Sequence, residues 1–289
     1  MGGRLVVLSF ASEITYTLRR IAWKTRHNVG IRLQENTKML GVYKAGFLIA
    51  VGLTLLYAFQ GFYPDFIYVF SNAFPPVIAG AAVVTSGLTL ERYWRKAKGH
   101  FPIIWFYFTC GLFLWFMGEA IWAGYTLILS VELPYPSVAD IFWIGGYIPF
   151  FVALYLYVKL FRHALTKKML AASLITTTVL TTLVTVALLI PVLGTEEDLT
   201  AMIMDFAYPI LDLTLFSVAL LGLIIFWRGK LGSSWLLINL GILMNVCADI
   251  LFSYTTAQNI YYCGHMLDVL FDLAYLSFSM AFYVHTKEF

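Results

Sequence analysis

The chain has 289 residues, 61% of them hydrophobic and only 12% charged, with a formal net charge of +3. A water-soluble domain carries about a quarter charged residues, so this composition excludes one and specifies an integral membrane protein. The small positive excess speaks for no nucleic-acid partner, and three cysteines without metal-site spacing form neither a disulfide framework nor a zinc site.

In chain order, residues 1–40 mix basic and apolar residues (LVVLSFASEITYTLRRIAW). Arg4, Glu13 and Arg19 speak against a spanning helix or a signal peptide there, so a basic, cytoplasmic, amphipathic helix lying in the interface is expected. Apolar runs long enough to span a bilayer follow at about 42–60, 66–90, 101–129, 139–160, 169–193, 200–227, 234–256 and 267–286. These predict an all-α protein of eight transmembrane helices, with residues 41–289 forming one membrane domain. The third and sixth runs exceed about 20 residues and should tilt or protrude. In that scheme every Lys and Arg, 19 in all, falls on one side. Clusters at Arg92–Lys98, Lys159–Lys168 and Arg228–Lys230 mark the inner loops. The positive-inside rule then places both termini in the cytoplasm, in a multi-pass protein of the cell membrane. Cys110 and Cys247, inside apolar helices, read as core packing. Cys263, in an outer loop, is the cysteine placed to react or to pair.

The four helices that re-enter from the outer side share a pattern. Asp65, Tyr68 and Asn72 stand on the second helix, and Asp140, Trp143 and Tyr147 on the fourth. Asp205, Tyr208 and Asp212 stand on the sixth, and Asp268, Phe271 and Tyr275 on the eighth. Each reads as Asp, an aromatic at i+3 and a hydrogen-bonding residue at i+7, a single helical stripe. Four of the eight Asp residues occupy the first position, which implies four related helical hairpins.

The outer half thus collects Asp65, Glu119, Asp140, Asp205, Asp212, Asp249, Asp268 and Asp272, with no Lys or Arg to pair with them. Asp65, Asp140, Asp205 and Asp268 open helices and suit N-terminal capping. At ~1.5 Å rise per residue, Asp212 and Asp249 lie roughly 12–18 Å below the surface. Carboxylates at such depth usually face a cavity or one another. Without cationic partners some should keep their protons, and the alternative is that a bound cation, amine or metal neutralises them. Trp122, Tyr125, Trp143, Tyr147, Tyr208 and Tyr275 could wall a cavity or form an interfacial aromatic belt. Pro75, Pro76, Pro149, Pro191 and Pro209 interrupt helical hydrogen bonding and free carbonyls nearby.

Other chemistries lack their residues. A retinal Schiff base needs a buried lysine, and bis-histidine haem needs histidines on facing helices, whereas the five histidines stand at ends or in loops. The LMNVCADIL run around Asp249 lacks the GxGD of intramembrane aspartyl proteases. The sequence assigns no catalytic residue and names neither a cofactor nor a metal.

The runs GEAIWAGY (118–125), PYPSVADIFWIGGYIP (134–149), AYPILDLTLF (207–216), ADIL (248–251) and DVLFDLAY (268–275) resemble a polytopic sensor module. That module is the membrane-embedded N-terminal region of many bacterial diguanylate cyclases and phosphodiesterases. The resemblance covers about residues 102–286 and implies a sensory input role for Glu119, Asp140, Tyr147, Asp212, Asp249, Asp268 and Tyr275. Trp143 stands where the pattern has Tyr, Ile148 separates Tyr147 from Pro149, and Phe271 replaces Trp. No output domain follows Phe289, so a signal is expected to pass to a separate cytoplasmic or membrane protein, through the basic N-terminal segment.

The expected function is a non-enzymatic membrane receptor or sensor, with the bilayer as surroundings and a small molecule, cation or hydrophobic cofactor as ligand. Its expected binding residues are Glu119, Trp122, Tyr125, Asp140, Trp143, Tyr147, Tyr208, Asp212, Asp249, Asp268, Asp272 and Tyr275. A cation- or proton-coupled transporter, with Asp212 and Asp249 as the ion site, is the alternative. An accessory subunit of a membrane complex is the third reading.

Overall fold

The computed structural model describes residues 40–96, 101–131, 133–193, 199–226 and 232–288. The amphipathic helix expected before residue 40 and the basic loop around Arg228 and Lys230 lie outside the described residues. The described residues contain no strand. They form eight helices long and apolar enough to cross a membrane. We number them α1 (Leu40–Ala58), α2 (Pro64–Lys96), α3 (Phe101–Ala123), α4 (Val138–Leu160), α5 (Lys167–Val184), α6 (Leu199–Phe226), α7 (Ser233–Ala257) and α8 (Asp268–Glu288). Residues from Gly46 onward make one folded unit and those before it another, of which the described part is the first turns of α1.

Local sequence sets the helix ends. Ser137 caps α4, and Asp140 completes a capping box by accepting the Ser137 backbone N–H at 2.6 Å. Thr166 caps α5 by accepting from Met169 N at 3.3 Å. Gly232 turns the chain into α7 with φ at 96°, a left-handed conformation that suits glycine. Pro75, Pro76, Pro149 and Pro209 lie within helices that continue through them. Instead of breaks at these prolines, α3 and α5 loosen into π turns at Gly124–Ile128 and Thr185–Leu189. The α2 helix, 33 residues long, spans about 50 Å at ~1.5 Å per residue. It outruns an apolar layer of about 30 Å and carries Glu91, Arg92 and Arg95 past it.

Helix neighbours describe a closed ring: α2 packs on α3, α3 on α4, α4 on α6, α6 on α7, α7 on α8, and α8 on α2. The α5 helix packs outside the ring against α6. The α1 helix is seated through Leu53 and Tyr57 against Ile67 of α2 and Val269 of α8. Burial separates the two classes, at 17% of the span for α1 and α5 against 39–61% for the ring helices.

Aromatic rings fill the middle. Trp105 of α3 stands 4.8 Å from Trp235 of α7 and 5.4 Å from Phe282 of α8, centroid to centroid. Phe150 of α4 stacks on Phe278 of α8 and lies 4.4 Å from Trp115 of α3. Glycines make room for these rings: a Cβ on Gly111 would meet Phe150, and one on Gly146 would meet Trp115. Between membrane helices, where lipid is as apolar as leucine, such close packing is a main attractive force. The outer face is apolar, with Phe47, Val77, Ile141, Ile148, Leu174 and Ile210 exposed. Cys247, expected in the core, is exposed instead, because α7 turns that face outward, while Cys110 is half-buried.

Gly146→Leu drives a side chain into the Trp115 ring and its hydrogen bond to the Trp143 carbonyl. Overpacking of this kind costs about 1–3 kcal/mol. A lowered thermal midpoint in detergent, followed by tryptophan fluorescence, is the expected result, and an unchanged midpoint would contradict the packing described.

Candidate functional site

Polar side chains meet near one end of the ring, where α3 and α7 finish and α2, α4, α6 and α8 begin. The deepest group joins α4, α6 and α7. The Tyr147 hydroxyl lies 2.5 Å from Asp212 Oδ1 and 3.2 Å from Asp249 Oδ2 and donates between them. Asn245, one turn before Asp249 on α7, donates its amide to Asp249 Oδ2 at 2.6 Å. The two carboxyl groups lie within hydrogen-bonding reach of each other. Asp212 is 1% exposed, and its Oδ2 is buried without a donor. One hydroxyl and one amide therefore serve two acids, and among the described residues no basic side chain pairs with either.

Around this centre the other acids repeat the arrangement. Tyr208 of α6 donates to Asp140 Oδ1 of α4 at 2.6 Å. Tyr275 of α8 donates to Glu119 of α3 at 3.0 Å, and the Trp143 indole N–H donates to the same carboxyl. Tyr57 of α1 donates to Asp272 Oδ2 of α8 at 3.0 Å. Tyr135, in the α3–α4 loop, donates to Asp205 Oδ1 at 2.5 Å. Asp268 accepts from the Gly264 backbone at 3.0 Å and from Tyr261 at 3.2 Å. Burial, and then the adjoining Asp268, push the Tyr261 hydroxyl well above the ordinary tyrosine range, so it remains a donor. Asp65 stands exposed and, among the described residues, has no such partner. No basic side chain enters these pairs; the ion pair among the described residues is Arg95 with Glu91, on the exposed end of α2.

Of the residues singled out by sequence, Asp212, Asp249 and Tyr147 form one centre, and Tyr208 reaches Asp140 beside it. Glu119, Trp143 and Tyr275 form a second group, and Asp272 and Asp268 lie on α8 with partners of their own. Trp122 turns instead to α2 and donates to Asn72 Oδ1 at 2.7 Å. Tyr125 sits half-buried in the π turn of α3 and, among the described residues, bonds to no carboxylate. Asp140 does act at a helix N-terminus, at the third position behind Ser137. Asp205 does not, because α6 begins at Leu199, and the loop tyrosine takes its place as partner.

Asn245, Tyr57, Tyr135 and Tyr261 take part without having been singled out as site residues. Asn245 could have been found, since it stands four residues before Asp249 on the same face. Tyr57 and Tyr261 carry no local signal, because their carboxylates are distant in sequence or across a turn. A further polar group occupies the opposite end of the ring. His285, 2% exposed, has Nε2 2.6 Å from the Tyr93 hydroxyl and Nδ1 3.1 Å from Ser234 Oγ. Its sequence position near the chain end gave no hint of this burial.

Among the described residues, no group of three or more His, Cys, Asp or Glu side chains is placed to hold a metal. A shallow apolar groove between α2 and the π turn of α3, lined by Pro76, Gly80, Phe116, Ala120 and Gly124, contains no carboxylate. Comparison of the chain with protein-family models, curated proteins and solved structures returns no match.

Tyr147→Phe strips two buried carboxyls of a shared donor and should cost about 1–3 kcal/mol. Tyr208→Phe should cost less, because Asp140 keeps both bonds from Ser137. Chemical unfolding of both variants in mixed micelles tests the ranking, and equal or negligible losses would refute it.

Proposed function

We propose that this protein is a non-enzymatic membrane receptor that senses a small cation between Asp212 and Asp249, beneath Tyr147. The observation that carries the reading is the buried Asp212 Oδ2, which faces a second carboxyl and has no donor. Two such groups in a membrane interior cannot both stay ionised without a positive partner. Hard cations take oxygen ligands, and the carboxylates and the Tyr147 hydroxyl offer them from three helices. A cation seated there ties α4, α6 and α7 together, which gives binding a structural consequence. The tight tyrosine pairing leaves this centre suited to an ion rather than a large molecule. The rings of Trp105, Trp115, Phe150, Trp235 and Phe278 fill the ring of helices beyond it, which favours a receptor over a transporter.

In this reading the acidic end faces outward, both termini are cytoplasmic, and the bundle arose from four related hairpins. The resemblance to the input regions of cyclic-dinucleotide enzymes fits a sensory role. The signal then passes to a separate cytoplasmic or membrane protein, with no nucleic acid involved.

Sodium chloride, titrated against choline chloride into the full-length protein in phosphatidylcholine vesicles, should change tryptophan fluorescence through Trp115 and Trp143. Asp249→Asn should abolish that response. A sodium response that persists in Asp249→Asn, or none in the native chain, would overturn the cation reading. For orientation, a cysteine introduced at exposed Tyr262 should react with an impermeant maleimide on intact cells. One at Arg162 should react only after lysis, and the reverse pattern would overturn the topology.

A further inference from the structure

Asp272 is a separate case from the deep centre. Its side chain is 0% exposed, and it stands on α8 one turn beyond Asp268. Oδ2 accepts the Tyr57 hydroxyl, while Oδ1 is buried without a donor. The titratable groups that face it are Tyr57 from α1, Glu119 from α3, and Asp268 and Tyr275 from α8. None of these carries positive charge.

Two requirements narrow what can complete this site. A bare metal ion of the hard class gathers several oxygen ligands, and one carboxyl with one phenol offers fewer than the two carboxyls and phenol of the deep centre. An ionised carboxylate here would rest its full charge on a single neutral hydrogen bond, beside two other acids. A neutral carboxyl leaves only one dipole unpaired, which is the smaller penalty in a low-dielectric interior. A proton is the ligand that fits.

We propose that Asp272 is a second binding site, independent of the Asp212–Asp249 centre, whose ligand is a proton and whose partner is the Tyr57 hydroxyl. The neutral carboxyl latches α1 to α8. The α1 helix is buried over only 17% of its span, and its seat is the cluster of Leu53, Tyr57, Ile67 and Val269, with Leu56 packed beside it and accepting the Tyr63 hydroxyl through its carbonyl. When the proton leaves Oδ1, the new charge must find water or a cation, and the lightly held α1 is the element that can yield. Proton occupancy at Asp272 thereby sets how firmly the first helix is docked.

Infrared difference spectra of the full-length protein in phosphatidylcholine vesicles test this directly, because a protonated carboxyl has a carbonyl stretch resolved from the amide bands. At neutral pH the native chain should show such a band, and Asp272→Asn should lose one carboxyl's worth of intensity. Asp249→Asn should retain that component. Tyr57→Phe should move it to higher frequency, since the hydroxyl donor is gone, and this shift decides the matter should Asp272→Asn fail to fold. If Asp272→Asn keeps the full intensity, or Tyr57→Phe moves no carboxyl band, Asp272 is ionised and the proposal falls. Loss of the sodium response in the preceding experiment leaves this result untouched, so the two readings fail separately.

Discussion

Carboxylates inside an apolar bundle, with no basic side chain among the described residues to meet them, are the constraint on which this structure turns. Tyrosine hydroxyls answer it. Tyr57, Tyr135, Tyr147, Tyr208, Tyr261 and Tyr275 each donate to an acid. Most of these bonds join different helices: α1 to α8, α3 to α8, α4 to α6 and α4 to α7. Lipid supplies no hydrophobic force between helices, so shape and polar pairing must select neighbours. The ring order, with α4 meeting α6 rather than α5, follows the pairs Tyr147–Asp212 and Tyr208–Asp140.

The other end of the ring solves a different problem. There the core is aromatic, with glycines recessed to admit rings, and buried His285 between Tyr93 and Ser234 links α8 to α2 and α7, while Thr89 of α2 donates to the Phe282 carbonyl of α8. Ring stacking of His285 on Tyr93, with centroids 5.2 Å apart, and its approach to Trp105 at 4.5 Å bind this polar group into the apolar core. The bundle is thus closed by packing at one end and by hydrogen bonds at the other. Replacement of a ring at the first end removes contact area. Replacement of a tyrosine at the second leaves a buried acid unsatisfied, which costs more per atom lost.

The eight helices were legible in the sequence because a membrane span must be long and apolar, a signal that needs no tertiary knowledge. That Asp212 and Asp249 stand well inside their helices was legible by counting residues from a helix end. Their meeting was not, since Asp212 and Asp249 come from different helices and Tyr147 from a third. The stripe of Asp, aromatic and polar residue set Asp140 and Tyr147, and likewise Tyr208 and Asp212, on one helical face each, without saying which way that face turns. It could not tell that Asp65 would remain exposed, or that Trp122 would turn to Asn72. Four of the prolines sit, as expected, inside helices, and those helices carry on past them. The loosened backbone appears at Gly124–Ile128 and Thr185–Leu189, where no single residue type announces it.

The choice of tyrosine as partner has a consequence for the receptor reading. An arginine or lysine beside Asp212 would neutralise it permanently and leave nothing for a ligand to add. A phenol donates one hydrogen bond and brings no charge, so it holds the carboxyl in place while its need for a counter-charge persists. Asn245 acts likewise on Asp249. A site built from neutral donors around two acids is geometrically fixed and electrostatically incomplete. On the receptor reading, those two properties suit a small cation, whose charge would tie three helices through ligands already in place.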